Sequence, residues 1–116
     1  MPKSLDDLAR ELRDFVHERN WAQFHAPKNL AIALMVEAAE VAEHFQWSTL
    51  DESANPGPAK RQAIAMEIGD TLLYLVRLAD VLRIDPIEAA SAKMKLNAER
   101  YPVERAYGRS AKYDEL

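Results

Sequence analysis

A chain of 116 residues with 48% hydrophobic and 29% charged residues is one domain's worth of sequence with enough apolar material for a packed core, which excludes a disordered tail. It has no cysteine, so disulfides, thiolate chemistry and Cys-based zinc sites are excluded; no apolar run is long enough to span a bilayer. The net charge of −4 argues against a nucleic-acid-binding surface, while a small anion remains possible wherever a metal reverses the local sign.

Helix signals dominate and strand signals are nearly absent. The opening, Met1-Pro-Lys-Ser-Leu-Asp-Asp7, lacks the apolar stretch of a secretory leader, and the expectation is a cytoplasmic protein. Ser4 and Asp7 form a Ser-x-x-Asp capping box that starts a first helix, with Leu5, Leu8, Leu12, Phe15 and Val16 as its apolar stripe and an end near Arg19. A loop with Asn20, Trp21, Phe24 and His25 follows, crowded with rings for a mere connection. The second helix begins at Pro27 or Asn29 and is expected to run to about Trp47. Ser53–Pro58 reads as loop throughout. A third helix covers about Ala59 to Arg83; Asp85 caps a fourth, with Pro86 at its first position and Glu88 closing a box, reaching about Arg100. The rest, to Leu116, reads as an extended or frayed tail. The expectation is an all-α, four-helix bundle occupying 1–116 as one domain.

Two acidic pairs break the apolar pattern. Glu37 and Glu40 lie with Leu30, Leu34, Val41 and Phe45 on one face of the second helix. Glu67 and Asp70 lie with Ile64, Tyr74, Leu78 and Val81 on one face of the third. An i, i+3 spacing stacks both members of a pair on one side of a helix. Unpartnered carboxylates removed from water cost several kcal/mol, at about 2–7 for even a neutral polar group and more for a charge. The quartet must therefore be protonated, paired or gathered round a cation, and few basic residues share those faces. Oxygen-only ligands suit a hard ion, Mg²⁺ or Mn²⁺. The Glu-x-x-His pairs of di-iron bundles are missing, since His44 falls off that spacing. The competing reading is that the acids are simply solvated.

Trp21, Trp47 and Tyr74 offer stacking surfaces for a nucleobase, with core or interface packing as the alternative for each. His25 by itself reads as a capping or packing histidine. Lys93, Lys95, Arg100, Arg109 and Lys112 make the last helix and tail basic, suited to solvation or to closing over a triphosphate. No nucleophile–base pair, phosphate-cradling glycine loop or dinucleotide fingerprint is present.

Glu37-x-x-Glu40 followed by Glu67-x-x-Asp70 resembles the hallmark of the MazG-like all-α nucleoside triphosphate pyrophosphohydrolase superfamily. Glu18-Arg-Asn-Trp-Ala-Gln-Phe-His25, Pro27-Lys-Asn-Leu30, Glu43-His-Phe-Gln-Trp47, Leu73-Tyr-Leu75, Lys93-Met94, Asn97, Arg100-Tyr-Pro102 and Lys112-Tyr113 bring it closest to the dCTP pyrophosphatase branch. The resemblance implies that Glu37, Glu40, Glu67 and Asp70 hold Mg²⁺ and carry catalysis. It also implies that Trp21, Ala22, Gln23, Phe24, His25, Trp47, Tyr74, Lys93 and Asn97 contact the nucleotide. Leu12 stands where that branch has a histidine. The implied reaction takes a (deoxy)nucleoside triphosphate, with a cytosine base foremost, to monophosphate and pyrophosphate, in a homo-oligomer built as a tetramer of paired dimers. Glu43 joins the quartet as a candidate base. The alternatives from other classes are a non-catalytic helical module that binds a nucleotide or metal, and a purely structural bundle.

Overall fold

The structure, a computed structural model, describes residues 1–116. It is helical with no strand: α1 (Leu5–Glu18), α2 (Pro27–Glu43), α3 (Leu50–Ala54), α4 (Pro58–Val81), α5 (Pro86–Arg100) and α6 (Val103–Ala106), with 3₁₀ turns at Ala22–Phe24 and Tyr113–Glu115. The four long helices stand where the periodicity predicts them. Two compact units are formed, Met1–Arg83 with α1 to α4 and Ile84–Leu116 with α5 and α6.

The helix boundaries follow local chemistry. Ser4 Oγ accepts from the Asp7 N–H at 3.1 Å, but the Asp7 carboxylate accepts from the N–H of Lys3 at 3.2 Å. The expected box thus closes one residue earlier. α1 ends with Asn20 at φ 53°, the Trp21 N–H returning to Val16 O and the Asn20 N–H to His17 O. This is the Schellman arrangement, in which asparagine tolerates the left-handed conformation. It folds Trp21 back on Phe15 edge to face, with ring centroids 5.7 Å apart. α2 starts at Pro27, whose missing N–H costs nothing in the first turn, and stops at Glu43, with His44–Trp47 in turns rather than helix. Leu50–Ala54 is helical where Ser53 and Ala54 were expected to be loop. Thr49 and Glu52 form a reciprocal capping box there, at 3.0 and 3.1 Å. Asp85 caps α5 by accepting from the Ile87 and Glu88 N–H groups; the cap needs no return bond from Glu88.

In the first unit α4 packs against both α2 and α1. Ala9 and Val16, Leu30, and Ile64, Val76 and Ala79 are its buried residues, drawn from all three helices. In the second unit the tail is not simply extended. Tyr113 sits edge-on to Tyr101 at 6.3 Å and beneath the Arg100 guanidinium at 4.5 Å, and this explains the turn at Tyr113–Glu115.

Leu30 is 1% exposed, so Leu30→Ala should cost about 2–5 kcal/mol. Gly69, inside α4, has nothing within 4 Å of where a Cβ would stand. Gly69→Ala should therefore stabilise the chain by up to about 1 kcal/mol through helix propensity alone. Urea unfolding of the two variants should move the midpoint in opposite directions.

Candidate metal centre and adjoining cavity

The packing of α4 on α2 sets the two acidic pairs face to face. Glu37, Glu67 and Asp70 each bring a carboxylate oxygen to within 4.8 Å of the other two. Glu40 lies beside them, close enough to Glu37 and Glu67 to interact with both by hydrogen bonding and by charge. The first two acids are half-buried and Asp70 is exposed. One oxygen of Glu37 and one of Glu67, Oε2 in each, is shielded from solvent with no hydrogen-bond partner. His44 Nε2 stands 4.0 Å from Glu67 Oε1, beyond hydrogen-bonding distance.

The electrostatics express that crowding. Burial, then the Glu40 carboxyl, then the charges of Asp70 and Glu67 push the Glu37 pKa up. Glu67 is pushed up first by its hydrogen-bonding approach to Glu40, then by burial and the charges of Glu40 and Asp70, with His44 pulling the other way. Like charges this close with orphaned oxygens fit a hard divalent cation, which would satisfy the lone pairs and cancel the repulsion. All four residues fit the oxygen donor set such an ion takes.

Asp70 also lines a cavity of about 200 Å³. Its other walls are Leu12, Phe15 and Val16 of α1, Trp21 and His25 around the 3₁₀ turn, and Leu73, Tyr74 and Arg77 of α4. Of the rings expected to meet a nucleotide, Trp21 and Tyr74 are therefore brought together with His25. Trp47, beyond the end of α2, is 90% exposed and off this cavity, as is Phe24 at 60%; Ala22 is exposed, and Gln23 turns its amide back to Asn20 O at 2.9 Å. The cavity takes no wall from α2 or the turns that follow it, where Trp47 stands. Lys93 and Asn97 belong to α5 of the other unit, Lys93 exposed and Asn97 half-buried. Arg77 is a wall that the sequence motifs do not single out. Its signal was a charge one turn past Tyr74 on the largely apolar face of α4.

A model of the MazG-like family matches residues 32–116. The chain is 44% identical to dCTP pyrophosphatase 1 of Homo sapiens over 115 residues, covering 97% of this chain and 68% of the relative. It is 43% identical to the Bos taurus protein of the same name over 116 residues, with the same coverage of each chain. The fold is similar to the crystal structure of a pyrophosphatase from Archaeoglobus fulgidus, with a TM-score of 0.81 and 39% identity, covering 88% of this chain and 95% of that one.

The raised proton affinities of Glu37 and Glu67 have a definite sign in stability. Above the ordinary value of 4.5 the native chain keeps protons that the unfolded chain has lost, so these two groups destabilise the metal-free fold progressively as pH rises. In chelator, the Tm advantage of Glu37→Gln/Glu67→Gln over wild type should grow from pH 4.5 towards neutrality. Mg²⁺ at neutral pH should restore the wild type, by about 2.7 kcal/mol at a hundredfold excess over Kd, and leave the variant unmoved. Calorimetry reads both; a pH-independent gap, or a variant that still responds to Mg²⁺, contradicts the site.

Proposed function

The chain belongs to the MazG-like family, and from that premise we propose that it is a nucleoside triphosphate pyrophosphohydrolase that converts dCTP to dCMP and pyrophosphate. The observation that carries the reading is the position of Asp70. It belongs at once to the carboxylate cluster and to the ring-lined cavity, so an anion-handling centre adjoins a pocket suited to a flat heterocycle.

Glu37, Glu40, Glu67 and Asp70 would hold the divalent ion, Mg²⁺ with Mn²⁺ as substitute. When bound, the ion supplies charge neutralisation for phosphate oxygens and a more acidic water. In the reaction a water oxygen bonds to the α-phosphorus, the bond from that phosphorus to the α–β bridging oxygen breaks, and pyrophosphate departs with the electron pair. A carboxylate of the quartet accepts the water's proton. Glu43 is exposed at the end of α2 and is a second candidate for that role. Trp21 and Tyr74 wall the base, where stacking contributes about 1–3 kcal/mol per base. Trp47, Phe24, Ala22 and Gln23 would add further nucleotide contacts in this reading, which takes the cytoplasm as the place of action.

The same reading includes a homo-oligomer, a tetramer of paired dimers. Ile68, Leu72 and Leu75 form an i, i+4, i+7 row on α4 at 54%, 38% and 45% exposure, and Ile32, Met35 and Val36 of α2 are as open. Large apolar side chains left open in such numbers on neighbouring helices suit an association surface. A second subunit would cover it, and Trp47 and Phe24, which lie off the chain's own cavity, would complete a neighbour's site.

Purified protein with Mg²⁺ and a panel of canonical and modified nucleotides should release pyrophosphate, fastest from dCTP. Glu40→Ala and Asp70→Ala should lose at least about a hundredfold in kcat with helix content intact by circular dichroism. Ligand-induced stabilisation without turnover would instead indicate a binding module.

Sedimentation at micromolar concentration should give a tetramer. A fully active monomer would sink the shared-site arrangement.

A further inference from the structure

The side chain of Arg77 is only 12% exposed. Its Nε–H donates to Nδ1 of His25 at 3.0 Å, joining residues 52 positions apart. Its Nη1 lies 3.7 Å from Asp80 Oδ2, the same oxygen that accepts from Arg13 Nε–H at 2.8 Å. Asp80 is thus set between two guanidinium groups, one on α1 and one on α4, and it anchors Arg77 with Nε aimed at the imidazole.

A guanidinium has only donors. Nδ1 of His25 must therefore present its lone pair, and in a neutral imidazole the proton is then on Nε2. A doubly protonated ring would set N–H against N–H. Burial, then the positive charge of Arg77, lower the proton affinity of His25 and act in the same sense. His25 and Arg77 both line the cavity whose remaining walls are largely rings and aliphatic side chains. With Nδ1 engaged, the one ring nitrogen left to meet a ligand is Nε2, and it can only donate.

We infer that Arg77 is a positioning residue that locks His25 in the Nε2–H tautomer, so that the imidazole selects a base carrying a hydrogen-bond acceptor, a carbonyl oxygen or an unprotonated ring nitrogen. Cytosine offers both on one edge. The inference deepens the pyrophosphohydrolase reading and rests on it for the identity of the ligand. In this inference Arg77 acts through His25, to which its Nε–H is committed, with Asp80 pairing its charge.

Two substitutions separate the donor from the charge. In Arg77→Gln the amide nitrogen falls at the same bond count from Cα as arginine Nε and can still donate; in Arg77→Met a methyl group occupies that place. Long-range ¹H–¹⁵N spectra of the substrate-free chain, with His25 assigned by its absence in His25→Phe, should show the Nε2–H tautomer alone in wild type and Arg77→Gln. Arg77→Met should show a mixture. The KM for dCTP should rise about three- to tenfold in Arg77→Met and stay within about twofold in Arg77→Gln, with kcat little changed in both, as expected for one neutral hydrogen bond made equally in ground and transition states. An Nδ1–H or doubly protonated His25 in the wild type overturns the inference whether or not Arg77→Met folds. Equal losses in the two variants overturn it as well, since they would show that Arg77 acts by its charge on the ligand. Absence of pyrophosphate release from the wild type strikes the functional reading, whereas a wrong tautomer in the substrate-free spectrum strikes the role of Arg77 alone.

Discussion

Repulsion among carboxylates, imposed by the packing of α4 on α2, is the constraint to which the rest of the molecule answers. The core that holds those helices together is small: Leu30 from one, Ile64, Val76 and Ala79 from the other, and Ala9 and Val16 from α1. The apolar contact therefore has to hold Glu37, Glu67 and Asp70 within 4.8 Å against a force that would separate them. Pure structural stability would be better served by replacing such acids with hydrophobic side chains. Their place at the helix contact is intelligible as stability given up for a binding site, a familiar exchange at functional centres.

Charge is handled differently at the other end of the cavity. There Asp80 is flanked by Arg13 and Arg77, and the excess positive charge is turned on a neutral histidine. One end of α4 thus concentrates negative charge that calls for a cation, and the other sets a largely paired positive charge beside a neutral ring. A triphosphate nucleotide has the same polarity, an anionic tail that travels with metal and an uncharged heterocycle with donors and acceptors on its edge. The apolar walls between, Phe15, Leu73 and Tyr74 among them, separate the two electrostatic regimes.

Much of this was legible in the residues. Helical periodicity located α1, α2, α4 and α5, and the two i, i+3 acidic pairs announced the cluster because carboxylates on an apolar face have few bland explanations. Tyr74, one turn past Asp70, was likewise readable as a wall of the pocket. Two kinds of feature were not. α2 ends at Glu43 and a new short helix is capped at Thr49–Glu52, a break that the hydrophobic pattern through Phe45 and Trp47 does not announce. The Arg77–His25 and Arg13–Asp80 contacts join residues 52 and 67 positions apart, and no spacing rule reaches that far. The tail was misread because the aromatic clasp of Tyr101, Arg100 and Tyr113 leaves no periodic trace.

α4 carries Glu67, Asp70, Tyr74 and Arg77 on one uninterrupted helix of 24 residues. A helix advances about 1.5 Å per residue, so the four positions mark out a ruler about 15 Å long, comparable to an extended nucleotide. Such a ruler has no slack. A single inserted or deleted residue between Asp70 and Arg77 would turn everything beyond it by about 100°, swinging one half of the site away from the other. The geometry therefore tolerates changes of letter in this stretch but not of length, whereas residues 44–57 lie outside the ruler, and backbone added there leaves its measure unchanged.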